Sequence, residues 1–269
     1  MPVDRFLAGR TIALSISETA DLPFLGLSAS HFRDALTEIG RHLLAEGARL
    51  IYGGDLRANG FTEVLFELAY RHASDLAEAQ LINPLPWPVH ISRPWEELAA
   101  KAKSVAPVAH IEFLALDGSP LPDDQRQSMT PHSPSPDEWS EGLTAMRNVV
   151  AGCADAYVLL GGQRAGYKGK MPGIAEEALA AIRAGKPVFL LGGFGGCARD
   201  VAELIGLRAT NSLTCATDWS GADQFADVRP ARLHCGLNER DICRLAATVH
   251  TDEFAALVLR GLRLALTHT

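Results

Sequence analysis

Short apolar runs alternate with longer stretches in which apolar residues recur every third or fourth position. The runs are Thr11-Ile-Ala-Leu-Ser-Ile16, Arg49-Leu-Ile-Tyr52, Gln80-Leu-Ile82, Val108 to Leu116, Ala156-Tyr-Val-Leu-Leu160 and Pro187-Val-Phe-Leu-Leu191. Apolar runs this short, bounded by glycine or proline, read as buried strands. Between them, Phe32, Leu36, Ile39 and Leu43 mark one helix face, as do Trp139, Leu143, Met146 and Val150, and then Ile174, Ala178, Ala181 and Ile182. The 3.6-residue period predicts helices over about 30–46, from about 61, over 94–103 and 137–152, from 173, and over 199–207. Asn238 is placed to cap a helix running to about 249, and Thr251, Asp252 and Glu253 open a last one through 266. Strands separated by helices throughout predict an α/β fold: a doubly wound, mainly parallel sheet with helices on both faces.

Two stretches break this rhythm. Residues 117–137 carry Pro120, Pro122, Pro131, Pro134 and Pro136 among Ser and Asp, which predicts a long mobile surface loop with little to bury. Residues 208–237 show no periodicity and are expected to be irregular.

At 269 residues with 47% hydrophobic and 21% charged, the chain is an ordinary globular protein, read here as a single domain over 1–269. The net charge of −7 excludes a protein that wraps nucleic acid nonspecifically, yet leaves room for an anionic small ligand held by backbone amides. Five cysteines without a C-x-x-C pair read as reduced thiols, with no metal site and no cofactor expected. No run reaches about 18 apolar residues and no leader opens the chain, so no membrane partner and a cytoplasmic location are expected.

The stretch from Arg147 to Gly196 concentrates the candidate chemistry. Three glycine turns, Gly53-Gly54, Gly161-Gly162 and Gly192-Gly193 onward, stand at strand C-ends, the edge where doubly wound sheets bind ligands. Pro172-Gly173 starts a helix and leaves its first N–H groups open to an anion. In that helix Glu177 falls about 60° from Ile174 on the flank of the buried face, whereas Glu176 points nearly to solvent. Arg147 lies about 80° from the centre of its own helix stripe, at the boundary of core and water. An arginine there either snorkels or reaches toward an anion. The loop between adds Arg164, Lys168 and Lys170 as possible phosphate contacts and Tyr167 as a stacking ring. Asp55, Arg57, Ser15, Ser17 and Glu18 are further candidates for the rim.

These residues resemble a known group. Met146-Arg147-Asn148, Ala154-Asp155-Ala156, Gly161-Gly162 and Pro172-Gly173-Ile174-Ala175-Glu176-Glu177 look like the LOG and SLOG proteins, which are Rossmann-like. LOG phosphoribohydrolases release a base from a nucleoside monophosphate, and SLOG relatives handle nucleotide-derived signals such as those made from NAD. The resemblance implies that Arg147 and Glu177 are the catalytic pair and that Gly161, Gly162 and Gly173 bind phosphate. It also implies a homodimer. The sequence departs in two ways: roughly ten residues split the turn between Gly162 and Gly173, and Ile174 stands where a threonine hydroxyl would meet phosphate. Arg164, Lys168 and Lys170 are the cations available to replace that contact.

Three functions fit. The first is an N-glycosidase in which Glu177 stabilises an oxocarbenium-like state or activates water, with Arg147 orienting it. The second is a non-catalytic sensor using the same groups on a nucleotide-type ligand. The third is a transferase resembling nucleoside deoxyribosyltransferases, with the carboxylate as nucleophile.

Overall fold

The computed structural model describes residues 5–72, 79–209 and 218–267. Its elements run β1 (Thr11–Ser17), α1 (Ala29–Ala45), β2 (Arg49–Ile51), α2 (Phe61–His72), β3 (Leu81–Leu85), α3 (Trp87–His90), α4 (Trp95–Val105) and β4 (Ala109–Phe113). Then come α5 (Asp123–Gln127), α6 (Pro136–Cys153), β5 (Ala156–Gly161), α7 (Gly173–Arg183), β6 (Val188–Leu191), α8 (Gly196–Leu204), α9 (Glu239–Ala247) and α10 (Thr251–Leu266).

The six strands form one all-parallel sheet in the order β4-β3-β2-β1-β5-β6. The chain steps outward from β1 to β4, then crosses back to place β5 on the other side of β1. Strand order therefore reverses between β1 and β5, and a crevice opens at their C-terminal ends. Helix α1 packs with α2 and α10, whereas α6 packs with α3 and α7, which gives the helices on both faces that the pattern predicted.

The core is apolar and close-packed. Phe32 of α1 meets Phe194 edge-on at 6.1 Å between ring centres, and Phe194 meets Phe254 of α10 at 6.0 Å. All three rings are buried. Each such side chain is worth about 1.5–3 kcal/mol of transfer free energy, so this row fastens the last helix to the sheet. The apolar stripe of α10 (Phe254, Leu257, Val258, Gly261 and Leu262) is thereby spent inside the chain.

Two expectations need correction. Residues 117–137 are not a featureless loop: they hold α5, and Arg126 within it is fully buried. Its guanidinium donates to His90 Nδ1 at 3.0 Å and to the carbonyls of His90 and Arg93 at 2.6 and 2.7 Å. Charge in a proline-rich segment hid a buried anchor. The third strand is longer than the run Gln80-Leu-Ile82: β3 continues through Pro84, which pairs only with Glu112 of β4. β2 pairs no further along β3 than Ile82, so the missing N–H of Pro84 breaks no ladder on that side. Residues 208–237, where described, contain two single 3₁₀ turns, Ala222–Phe225 and Pro230–Leu233; 210–217, with Cys215, lie outside the described residues.

Candidate functional site

A cavity of about 550 Å³ lies over the C-terminal ends of β1, β2 and β5, within the roughly 300–1,000 Å³ usual for ligand pockets. The parallel sheet explains the location, because every strand delivers its following loop to this edge. β1 contributes Ser15 and Ser17, followed by Glu18; the turn after β2 contributes Gly53, Gly54, Asp55 and Arg57; the β5–α7 loop contributes Gly162, Tyr167 and Lys168. α6 brings Trp139, Leu143, Met146 and Arg147, and α7 brings Gly173, Ile174 and Glu177. A second cavity of about 420 Å³ adjoins it and shares Glu18, Arg57 and Phe61.

Arg147 and Glu177 converge here as expected. Arg147 Nε stands 3.8 Å from Glu177 Oε1, and both side chains are largely buried. Burial pushes the Glu177 carboxyl above its ordinary range. Arg147 opposes this, as does the Ser15 hydroxyl, which faces the carboxylate without closing a well-formed hydrogen bond. Glu176, in contrast, is not directed to solvent. Its Oε2 accepts from Arg147 Nη1 and its Oε1 accepts from Thr144 Oγ1 at 2.6 Å. The helical wheel placed Glu176 by angle alone and had no knowledge that α6 packs beside α7.

The glycines divide by position. Gly53, Gly54, Gly162 and Gly173 line the cavity. A Cβ on Gly173 would come within 2.6 Å of Arg147 Nη2, so glycine there makes room for the guanidinium as much as for a ligand. Gly161 (φ +71°) packs against the Phe32 ring. Gly192 and Gly193 are buried against the backbone of Ala246, Ala247 and Thr248 at the C-terminal end of α9, away from the cavity lining. Close approach of backbone explains those two, and the approaching group is the protein itself.

The loop cations also separate. Arg164 donates to Asp200 at 2.6 and 2.7 Å and to Asp21 at 2.6 Å, so its fork is filled by carboxylates. Asp21 in turn accepts from the Gly196 N–H at 2.8 Å, supplying the anion that the start of α8 calls for. Lys170 lines a different, shallower concavity with Asp117 and Glu141. Lys168 does face the main cavity, its ammonium 3.5 Å from the centre of the Trp139 ring, and among the described residues it has no carboxylate partner. Tyr167 lines the cavity while its hydroxyl accepts from the Ser220 N–H at 3.2 Å.

Several lining residues were invisible in the sequence. Trp139, Leu143 and Met146 look like core positions of α6, yet that face looks partly into the cavity. Ser92 and Arg93, after α3, arrive because Arg126 ties that segment down. Tyr52 could have been found, since it ends a strand just before a glycine turn. Its hydroxyl donates to Ile16 O at 3.2 Å, and burial, then Asp55 and Glu177, raise its pKa. Among the described residues no cluster of three or more His, Cys, Asp or Glu is arranged to hold a metal ion.

The fold is a Rossmann-like α/β domain with a cavity at its topological switch point. The chain belongs to the SLOG cluster2 family, whose sequence profile matches residues 6–264. SLOG domains bind nucleotide-type ligands. No curated protein matches the chain. Among solved structures it is similar to TM1055, a structural-genomics X-ray target, with 20% identity over 72% of this chain and 81% of that chain and a TM-score of 0.41. No helix among the described residues is long and apolar enough to cross a membrane.

Proposed function

We propose that this SLOG domain binds a nucleotide-derived ligand in the 550 Å³ cavity and hydrolyses its N-glycosidic bond, with Glu177 as the reacting carboxyl. The observation that carries the reading is a buried carboxyl on the cavity wall whose nearest cation is held 3.8 Å away. Such a group exchanges a proton more readily near neutral pH than an exposed glutamate does. As the bond between the anomeric carbon and the base nitrogen breaks, its electron pair leaves with the base. Glu177 takes a proton from a water whose oxygen bonds to the anomeric carbon, and the base acquires a proton from solvent. Negative charge on Glu177 stabilises the cationic sugar.

Arg147 covers Gly173 at the start of α7, and Ile174 offers no hydroxyl. Arg57 is paired with Asp55 at 2.5 Å, so the ligand's phosphate is assigned to Lys168, which has no carboxylate partner among the described residues, with the base against Tyr167. The test is incubation of the protein with nucleosides, nucleotides, NAD and ADP-ribose, followed by chromatography of released base. Glu177→Ala should abolish release; a mutant as fast as wild type sinks the assignment.

The loss of the threonine contact and the arginine over Gly173 favour one second reading, a sensor that binds without turnover. Thermal stabilisation by a panel member that is never consumed would select it. Sugar transfer to an added second base, in the same incubation, would instead mark a transferase. Homodimer assembly is the companion proposal, read by light scattering; the buried stripe of α10 is not its surface.

A further inference from the structure

Arg147 has two acidic neighbours on α7 and serves them unequally. Its Nη1 donates to Glu176 Oε2, whose other oxygen is fixed by Thr144 Oγ1 at 2.6 Å. Its Nε, 3.8 Å from Glu177 Oε1, is buried and makes no hydrogen bond. A guanidinium that could grip Glu177 with a two-pronged bond is instead drawn sideways, toward a carboxylate outside the cavity lining. Thr144 and Arg147 stand three residues apart on the same face of α6, so one helix supplies both groups that clamp Glu176.

We propose that Glu176 is a positioning residue: with Thr144 it holds Arg147 off Glu177, leaving the Glu177 carboxyl free to gain and lose a proton inside the cavity. The catalytic role of Glu177 rests on the function proposed above, but the restraint on Arg147 does not. The groups facing Glu177 are Ser15 from β1, Tyr52 after β2, Arg147 from α6, Tyr157 from β5 and Glu176 on its own helix. Of these only Arg147 is a cation, so its distance decides how strongly the ionised form is favoured. Releasing Arg147 lets it close on Glu177.

The experiment is a carbon-13 NMR pH titration of the side-chain carboxyls in the full chain, with the Glu177 resonance assigned by Glu177→Gln. Glu176→Gln should lower the Glu177 midpoint by about one pH unit, a tenfold rise in acidity. That variant also removes a like charge, so Thr144→Val is the discriminating partner. It leaves Glu176 charged but loosens its hold, and the midpoint should fall by a smaller amount. A Glu177 midpoint unchanged or raised in Thr144→Val overturns the proposal. Should Glu176→Gln fail to fold, Thr144→Val decides alone. If the wild type turns over a substrate, the acid limb of its pH–rate profile should move down in step. If nothing is turned over, the hydrolase reading fails while the titration still decides whether Arg147 is restrained.

Discussion

Removing Asp200 should destabilise the domain severely without a charge ever touching the ligand. The Asp200 side chain is fully buried, accepts both prongs of Arg164 and also accepts from Trp219 Nε1 at 3.1 Å. Asp200→Ala leaves the indole N–H without its partner, a loss of about 1–3 kcal/mol. It also takes from Arg164, whose side chain is only 15% exposed, the stronger of its two partners. Breaking a buried pair costs roughly 3–5 kcal/mol, and the surviving Asp21 contact argues for the lower end of the combined figure, about 4 kcal/mol. In a domain of this size that is a drop in Tm of about 8–16 °C. Urea unfolding followed by circular dichroism would measure it. Arg164→Ala should cost a similar amount, because Asp21 and Asp200 then face each other uncompensated. The double variant Arg164→Met with Asp200→Leu should cost clearly less than the two singles summed. If Arg164→Ala instead leaves stability within about 0.5 kcal/mol of wild type and weakens ligand binding, the clasp is not structural and Arg164 is a ligand residue after all.

Three further outcomes follow from the same structure. Gly193→Ala would put a Cβ 2.7 Å from the Thr248 carbonyl carbon, so it should cost about 1–3 kcal/mol in urea unfolding; lost ligand affinity at unchanged stability would contradict this. His90 is fully buried, and burial, with help from Arg126, lowers its pKa from 6.5 to about 4. Its neutral form is favoured on folding, so the stability it contributes is present above about pH 6.5 and is lost as pH falls to about 4. Linkage puts that loss at about 3 kcal/mol, and His90→Gln should flatten the stability–pH curve in that window. Glu138, the capping-box partner of Ser135 in the first turn of α6, is held down to about 2 by the Ser135 N–H, then by Trp87 and His132. Its contribution is present above pH 4.5 and lost as pH falls toward 2; Glu138→Gln should remove that lower step, and an unchanged acid transition would refute the assignment.

How far the sequence reached differs between fold and site. The strands through Leu14, Leu50, Val158 and Phe189 and the helices between them were legible, because burial on a parallel sheet demands unbroken apolar runs and a 3.6-residue stripe. Arg147 and Glu177 were legible as a pair from helix angle and from the resemblance of the surrounding motif, and their side chains do meet. Arg126 was not legible: nothing local marks a guanidinium that will be buried against two carbonyls lying 33 and 36 residues earlier. Arg164 and Lys168 looked alike in the loop, since a charge four residues from another carries no hint of which will find a carboxylate 36 residues on.

Periodicity and glycine placement settle quantities that depend on neighbours within about two turns: which residues form strands and helices, which face is apolar, and where the sheet edge lies. Partnership between side chains is a long-range property. Only the packed fold sent Asp21 and Asp200 to Arg164, turned the Trp139 face of α6 toward a cavity, and gave Glu176 rather than water the nearer grip on Arg147. The physical reason is that a charged side chain takes whichever opposite charge burial brings within about 4 Å, and that choice is made after the helices dock.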